Sequence, residues 1–301
     1  MKGWRDRETG RVVFHRKAGW ADRPIQIPCG QCSGCRLERS RQWAVRMMHE
    51  SQMHEDNCFL TLTYDEKHLP YDFSVDVTEF QRFMKRYREY LRARNLGRIK
   101  FYHCGEYGEV LGRPHYHAII FGHDFADKKP WFMNGEHQYY DSEDLSRLWG
   151  KGLVCIGDVT FESAQYCAKY CMKKITGDVA DDYYGFIHPV TKEPLWRSPE
   201  YSTMSNGIGL KWFEKFWTDV FNGGQSDDVI IDHRGRQGKP PRYYLELLRK
   251  MDERMAQRVK GKRAVAGRAN VDDNTPDRLK VKEKVALARQ ALYGNRRYES
   301  A

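Results

Sequence analysis

The stretch IKFYHCGEYGEVLGRPHYHAIIFG, residues 99–122, contains the pattern that decides the fold. Two β-rich runs, 99–107 and 115–121, flank a short segment, 108–114, that begins with glycine and ends with proline. Turn-forming residues between two runs of strand-forming residues are typical of a β-hairpin. The sequence therefore predicts an antiparallel pair of strands at this position.

The register of this hairpin determines which side chains meet. If the turn is centred just after Val110, Glu106 lies directly opposite His115, and Cys104 lies opposite His117. Directly opposed residues share a face of the sheet. Because side chains alternate along each strand, a shift of one residue would separate these groups.

His115 and His117 are two residues apart in the second strand, so both imidazoles are expected on one face and Tyr116 on the other. Together with Glu106 they would form a partial cage of two nitrogens and a carboxylate, with open coordination positions. Such a cage suits Mg²⁺, Mn²⁺ or another divalent cation. The pair alone is weak evidence, because strand histidines also form ordinary structural hydrogen bonds.

The chain around the hairpin alternates between helical and strand-like periodicity. Asp76 and Glu79 are spaced as in a helix capping box, and apolar residues at helical spacing follow them. Similar patterns predict helices over 36–54, 76–91 and about 161–175, and further strands over 58–64 and 153–159. Strands separated by helices predict an α+β fold, with a central antiparallel sheet of about five strands flanked by helices.

A change of composition near residue 222 indicates where the main domain ends. We expect an N-terminal Cys-rich loop and helix over 1–57, a main domain over 58–221, and a linker with a basic C-terminal region over 222–301. The C-terminal region has helical character from Arg242 onward. Between 260 and 278 large apolar residues are few, so partial disorder is expected there.

A second cluster of chemically useful side chains lies in the predicted helix at 161–175. Tyr166 and Tyr170 are one helical turn apart, and Lys169 and Lys173 follow them by three residues each. A phenol with a pKa of about 10 attacks phosphorus well only where positive charge favours the phenolate. The lysines and a metal that holds the phosphate would provide that charge. The alternative is a tyrosine stripe that packs in the core.

Three cysteines fall within one short segment near the N-terminus: Cys29, Cys32 and Cys35. Two overlapping Cys-x-x-Cys steps predict a structural zinc site. The candidates for its fourth ligand are Cys58, Cys104 and His49. The alternatives are three reduced thiols in a loop, or an iron–sulfur cluster, which is disfavoured because Arg39 stands where a bacterial ferredoxin has its fourth cysteine.

The 301-residue chain carries a formal net charge of +10, from 51 Lys and Arg against 41 Asp and Glu. This excess favours polyanionic partners, with nucleic acid as the first candidate. No stretch approaches the roughly 20 consecutive apolar residues of a membrane helix, and the N-terminus lacks the apolar core of a signal peptide. We therefore expect a cytoplasmic protein without a membrane partner, in which the cysteines are reduced thiols or metal ligands.

Several of these motifs together resemble the HUH endonucleases, and more closely the replication initiators of small single-stranded DNA phages of the gokushovirus type. Six segments spread over most of the chain carry the resemblance: 28–36, 59–64, 105–108, 113–122, 166–174 and 239–244. One departure is mild, since Tyr116 rather than an aliphatic residue stands between the histidines. The family fold is an antiparallel sheet flanked by helices, with both histidines on a central strand.

The resemblance implies a role for each motif residue. His115 and His117 would hold Mg²⁺ or Mn²⁺, with Glu106 as the third ligand. One of Tyr166 and Tyr170 would attack a phosphodiester at the origin, leaving a 5′-phosphotyrosine link and a 3′-hydroxyl that primes rolling-circle replication. The other would cut the regenerated origin, so that the released end closes a circle. Single-stranded viral origin DNA, a host helicase and a host polymerase would be the partners, in the bacterial cytoplasm.

Two other classes of protein share part of the pattern. A non-haem iron oxygenase also uses two histidines and one carboxylate, but it has no use for a tyrosine pair flanked by lysines. A non-catalytic zinc-containing protein would use its cysteines for structure and its basic charge to bind nucleic acid. That alternative predicts that loss of the hydroxyls of Tyr166 and Tyr170 changes little.

Overall fold

The computed structural model describes most of the chain. The described residues are 2–6, 8–9, 12–15, 19–28, 30, 32–108, 111–170, 180–188, 190–224, 227–231, 235 and 237–293. The strands are β1 (Lys2–Asp6), β2 (Val12–Val13), β3 (Gly19–Gln26), β4 (Asn57–Thr63), β5 (Lys100–Tyr107), β6 (Pro114–Phe121), β7 (Lys129–Asn134), β8 (His137–Asp141), β9 (Val154–Gly157), β10 (Gly185–Ile187), β11 (Pro194–Trp196), β12 (Tyr201–Met204), β13 (Ile230–Ile231) and β14 (Gln237–Gly238). The helices are α1 (Ser33–Ser51), α2 (Val77–Ala93), α3 (Glu143–Trp149), α4 (Phe161–Tyr170), α5 (Ala180–Tyr184), α6 (Leu210–Val220), α7 (Arg242–Met251), α8 (Glu253–Ala269) and α9 (Pro276–Tyr293).

The centre of the molecule is one large antiparallel sheet. Seven of the described strands form it in the order β12-β5-β6-β4-β9-β8-β7, and every neighbouring pair is antiparallel. The α+β prediction is confirmed, but the expected five strands are too few. The sequence had identified β4, β5, β6 and β9, whereas β12 and the hairpin β7–β8 extend the sheet at its two edges.

Each face of the sheet is covered by its own helices. On the face that we call the back face, Leu60, Tyr116 and Ala118 pack under α2 and α3. On the front face, Phe59 and Ile119 pack under α1 and α4. Alternation of side chains along the strands produces this division, because neighbours in sequence point to opposite faces.

Helix α2 shows how directly the sequence determines one of these layers. The apolar residues at helical spacing are the ones it buries: Phe80, Phe83, Met84, Tyr87 and Leu91. The side chain of Asp76 caps its first turn by accepting a hydrogen bond from the backbone N–H of Thr78 at 2.8 Å. Glu79 does not complete the predicted capping box. It forms ion pairs with Arg82 and Lys151 instead.

A third core joins the two ends of the chain. Val45 of α1 packs with Phe213 of α6, Tyr244 and Leu248 of α7, and Val259 of α8, all buried. Segments on both sides of the expected boundaries at residues 57 and 221 therefore share apolar cores. The division into 1–57, 58–221 and 222–301 stays a prediction.

Three element boundaries differ from the sequence-based expectation. Helix α1 covers Ser33–Ser51 rather than 36–54, because Cys32 already has the extended backbone of an N-cap. The helix expected over 161–175 is described only to Tyr170, and 171–179 lie outside the described residues. Helix α8 continues to Ala269, where partial disorder was expected. Within the described ranges, none of the helices has the length and apolar character needed to span a bilayer.

Candidate metal centre and active site

The predicted register of the hairpin is confirmed. Strand β5 pairs with β6 so that Glu106 lies opposite His115 and Cys104 lies opposite His117. On the other side of β6, strand β4 places Thr61 opposite His117. Because opposed residues share a face, the carboxylate and both imidazoles meet on the front face of the sheet.

These three side chains form a compact group of metal-binding type. One oxygen of Glu106, Oε1, lies 3.2 Å from Nε2 of His115 and 2.9 Å from Nε2 of His117. One ligand atom from each residue lies within 4.8 Å of the others, and the described part of the chain contains no second group of this kind. Two nitrogens and one carboxylate oxygen at these separations fit a divalent cation that keeps open positions for other ligands.

The other nitrogen of each imidazole is also engaged. Nδ1 of His115 donates to the carbonyl oxygen of Arg113 at 3.2 Å, and Nδ1 of His117 lies 3.0 Å from Oγ1 of Thr61. A hydrogen bond at one ring nitrogen fixes the orientation of the ring and the tautomer. Both Nε2 atoms are thereby directed toward Glu106.

The carboxylate of Glu106 is fully buried, which makes its charge state important. Burial by itself raises the pKa of Glu106, but hydrogen bonds and charge from His115 and His117 outweigh that effect and lower the pKa below its ordinary value. The group is therefore an anion at neutral pH. A buried anion between two imidazoles is the electrostatic environment that a cation would stabilise.

Tyr166 reaches this group from helix α4. Its hydroxyl donates to Oε1 of Glu106 at 3.3 Å, and its ring lies edge-on to that of His117, with centroids 4.9 Å apart. Helix α4 is fixed in place by the buried residues Ala164 and Cys167, which pack against α1 and the sheet. The tyrosine is half-buried, so its hydroxyl is held at the metal-binding group and is still accessible.

The other predicted residues of this helix are placed only in part. Lys169 is exposed on α4. Tyr170 is the last described residue of α4, but its side chain lies outside the described part, and Lys173 lies outside it altogether. The roles of Tyr170, Lys169 and Lys173 therefore stay predictions.

Tyr116 faces away from the metal-binding group, as the strand alternation predicts. It is fully buried on the back face, where its hydroxyl lies 2.9 Å from that of Tyr64 and donates to the carbonyl oxygen of Asp76. Burial raises its pKa to about 12. These contacts give Tyr116 a structural role in joining the sheet to the start of α2.

The predicted zinc site is only partly within the described residues. Cys29 lies outside them, whereas Cys32 is exposed at the N-cap of α1 and Cys35 is half-buried in its first turn. Of the proposed fourth ligands, Cys58 is buried on the back face, opposite to the face on which α1 packs. Cys104 is buried in the front core, and Nδ1 of His49 lies 2.8 Å from the hydroxyl of Tyr244. The structure separates Cys58 from the cluster, and the zinc site itself stays a prediction.

Two residues that support the metal-binding group were not identified from the sequence. Thr61 contacts Nδ1 of His117, and Phe59 stacks on the His117 ring with centroids 5.4 Å apart. Both occupy alternate positions of the predicted strand at 58–64, which was the available signal. Their role depends on the pairing of β4 with β6, and strands so distant in sequence give no local sign of their register.

Comparisons with known proteins place the chain in a family. The family model of the ORF2-type replication-associated proteins matches residues 57–175, which include both the hairpin and helix α4. The chain is 36% identical over 250 residues to replication-associated protein VP4 of Bdellovibrio phage phiMH2K, covering 80% of this chain and 74% of that protein. It is 31% identical over 275 residues to replication-associated protein ORF2 of Spiroplasma virus 4, covering 84% and 81%.

A third relative, replication-associated protein ORF4 of Chlamydia phage 1, is 32% identical over 231 residues, covering 75% of this chain and 54% of the relative. No solved structure shows a significant match. Two of the relatives are matched over most of both chains at more than 30% identity. The chain therefore belongs to the family of ORF2-type phage replication-associated proteins, the replication initiators of microvirus-type phages.

Proposed function

We propose that this replication initiator nicks single-stranded DNA at an origin with Tyr166 and later rejoins the ends. One observation carries the proposal: the Tyr166 hydroxyl lies 3.3 Å from the same Glu106 oxygen that contacts His115 and His117. A nucleophile and a metal-binding group within hydrogen-bond distance are what a metal-assisted attack on phosphorus requires.

The donor set supports a divalent cation, with Mg²⁺ or Mn²⁺ as the candidates. His115, His117 and Glu106 would hold it. When bound, the cation would neutralise charge on the phosphate oxygens and fix the phosphate for in-line attack. The orienting contacts from Arg113 and Thr61 then serve to keep both Nε2 atoms in place.

The nicking step is a transesterification that conserves the number of phosphoester bonds. The phenolic oxygen of Tyr166 forms a bond to phosphorus, and the bond from phosphorus to the 3′ oxygen breaks. The phenolic proton leaves along the hydrogen bond to Glu106, and the departing 3′ oxygen takes up a proton from water. The products are a 5′-phosphotyrosine link and a 3′-hydroxyl that can prime synthesis.

Rejoining is the reverse chemistry and needs a second nucleophile for a new round of cleavage. Tyr170 is one helical turn after Tyr166 in α4, and we assign the second attack to it on this spacing. Lys169 and Lys173 would favour the phenolate forms. A host helicase and a host polymerase, acting in the bacterial cytoplasm, would extend the 3′-hydroxyl.

The test is formation of a covalent protein–DNA adduct. The full-length chain is incubated with labelled single-stranded origin DNA and Mn²⁺ or Mg²⁺, and the products are separated under denaturing conditions. We expect a shifted band with the natural chain and with Tyr90→Phe, a control at a half-buried tyrosine on α2 whose hydroxyl donates to Asp144. We expect no band with Tyr166→Phe combined with Tyr170→Phe.

Further arms of this experiment separate the roles. His115→Ala and His117→Ala, or chelation of the metal, should also abolish the band, and mass spectrometry should identify Tyr166 or Tyr170 in the DNA-linked peptide. Cleavage that persists after chelation would contradict the metal role. A natural chain that binds DNA but never forms an adduct would favour the non-catalytic alternative.

A further inference from the structure

A cleft at the far end of α2 is lined by three arginines. It has a volume of about 640 Å³ and lies between the last turns of α2 and the start of β5. Arg88, Arg92 and Arg98 line it together with apolar side chains such as Leu91 and Ile99, and none of its lining residues is acidic. All three arginines are exposed, so their guanidinium groups face water.

These arginines differ from the other exposed cations of the same region in having no carboxylate partner. Arg82 pairs with Glu79 at 2.7 Å, Lys129 pairs with Glu143 at 3.5 Å, and Arg147 pairs with Asp144. Within the part of the chain that the structure describes, no ion pair links Arg88, Arg92 or Arg98 to an acid. Three neighbouring positive charges that repel one another are stabilised when an anion enters between them.

Stabilisation of the helix does not account for the whole group. The partial negative charge at a helix C-terminus favours cations in its last turn, and among the three only Arg92 lies there. Arg88 precedes the last turn, and Arg98 follows the helix in the turn before β5. The convergence of all three on one cleft is a property of the fold and not of the helix alone.

The cleft and the metal-binding group lie at opposite ends of the same strand. Strand β5 begins at Lys100, beside the cleft, and carries Glu106 near its other end. At about 3.3 Å per residue these positions are roughly 20 Å apart. A DNA molecule that contacts both must therefore extend well beyond the nucleotides at the scissile phosphate.

We propose that Arg88, Arg92 and Arg98 form a second DNA contact, which binds backbone phosphates of the origin roughly 20 Å from the nick site. The planar guanidinium group suits phosphate oxygens, which it can bind with two parallel hydrogen bonds. Phosphate contacts of this kind position the nucleic acid without reading its bases. The inference rests on the proposed function only in taking origin DNA as the ligand.

The test measures how salt weakens DNA binding. Each phosphate contact contributes about 0.7 to the slope of log K against log salt for a single strand and about 0.9 for a duplex. Full-length chains carrying Tyr166→Phe and Tyr170→Phe bind a labelled single strand of about 30 nucleotides without cleaving it. Adding Arg88→Gln, Arg92→Gln and Arg98→Gln should lower the slope by about 2.

Two controls make this result specific. Arg82→Gln, Lys129→Gln and Arg147→Gln remove the same charge from exposed, paired cations and should leave the slope of the long strand nearly unchanged. A strand of about 8 nucleotides centred on the nick is too short to reach the cleft. With this short strand the cleft variant should match its parent.

The outcomes distinguish the two proposals. Equal slopes for the cleft variant and the charge control on the long strand would overturn the second contact, as would an equal loss on the short strand. Adduct formation by the natural tyrosines on the short strand reports the nuclease separately. A missing adduct together with the predicted change of slope would reject the nuclease and retain the cleft as a DNA site.

Discussion

His117 is held on the side of its ring that faces away from Glu106. The hydroxyl of Thr61 lies 3.0 Å from its Nδ1, and Phe59 stacks on the ring plane. Thr61 is in turn close enough to Cys155 to lower the pKa of that buried thiol somewhat, although burial dominates and raises the pKa to about 11. A small chain of polar contacts from β9 to β6 thus fixes one metal ligand.

Removal of the Thr61 hydroxyl should weaken metal binding. Thr61→Val keeps the shape of the side chain but leaves Nδ1 of His117 without its partner, so the ring loses its preferred orientation. Loss of such outer contacts typically costs about 10–100-fold in metal affinity. Titration of the full-length chain with Mn²⁺, followed by electron paramagnetic resonance, measures this directly.

The matched control is Thr61→Ser, which keeps the hydroxyl and should keep an affinity within about threefold of the natural chain. If Thr61→Val and Thr61→Ser bind Mn²⁺ equally well, the hydroxyl does not orient His117. Thermal unfolding of both variants in the absence of metal separates this effect from a general loss of stability.

His49 shows a second consequence of burial at a single residue. It lies between α1 and α7, stacked on Trp212 with centroids 3.5 Å apart, and Nδ1 contacts the Tyr244 hydroxyl at 2.8 Å. Burial lowers its pKa to about 3. The ring is therefore neutral in the folded chain at any pH at which the protein functions.

This neutral histidine should make the fold less stable in mild acid. Below about pH 6.5 the unfolded chain gains a proton at His49 while the folded chain does not, so stability falls as pH drops from 6.5 toward 3. Between pH 7 and pH 5 the loss from this group is about 2 kcal/mol. Denaturant unfolding at the two pH values measures it.

His49→Gln, which retains a hydrogen-bonding side chain, should show a smaller loss between the two pH values than the natural chain. His68→Gln, at an exposed site paired with Asp65, serves as the control and should retain the natural pH dependence. An unchanged pH dependence in His49→Gln would mean that other groups cause the acid sensitivity.

At the scale of elements, the cap of α2 can be tested by itself. Asp76 is the N-cap residue, and its carboxylate accepts a hydrogen bond from the N–H of Thr78. Asp76→Ala leaves that N–H without its partner and should cost about 1 kcal/mol of unfolding free energy, whereas Asp76→Asn should cost less than half of that. Equal costs for the two variants in denaturant unfolding would show that the cap is not the source of the stability.

The elements that the sequence predicts correctly are those whose signal is local. The hairpin 99–121 and helix α2 combine strong periodicity with turn or cap residues within a few positions, so register and buried face follow from the chain itself. Strands β12 and β7 have no such signal. The first has four residues, and the second is mostly exposed at the edge of the sheet, so their positions depend on pairing with distant strands.

The same distinction applies to the candidate site. Glu106, His115 and His117 come from one hairpin, and their proximity was predictable from its register. Tyr166 was identifiable by residue type and helical spacing, but its approach to Glu106 depends on how α4 packs on the sheet. The arginine cleft depends on the path of the chain after α2, which no local pattern encodes.

At the scale of the whole molecule, α1 connects the site to the C-terminal helices. It packs against α4 in the front core and against α6, α7 and α8 in the third core. Arg46 of α1 lies between the rings of Trp43 and Tyr243, 3.9 Å from each centroid. The segment 239–244 thus supports α1, since the Lys239 carbonyl also accepts a hydrogen bond from Arg41.

This arrangement predicts that two truncations differ sharply. A chain ending at Asn270 loses α9, whose side chains between 276 and 288 are exposed, and should unfold within a few degrees of the full-length chain and form the same adduct. A chain ending at Pro240 loses Tyr244, Leu248 and Val259 from the third core, at a cost of roughly 5 kcal/mol or more. Because α1 would lose its support and α4 packs on α1, adduct formation should fall with stability. Thermal unfolding and the adduct assay on both chains measure this, and a Pro240 truncation as stable and active as the Asn270 truncation would show that the front core holds α4 without help from the C-terminal helices.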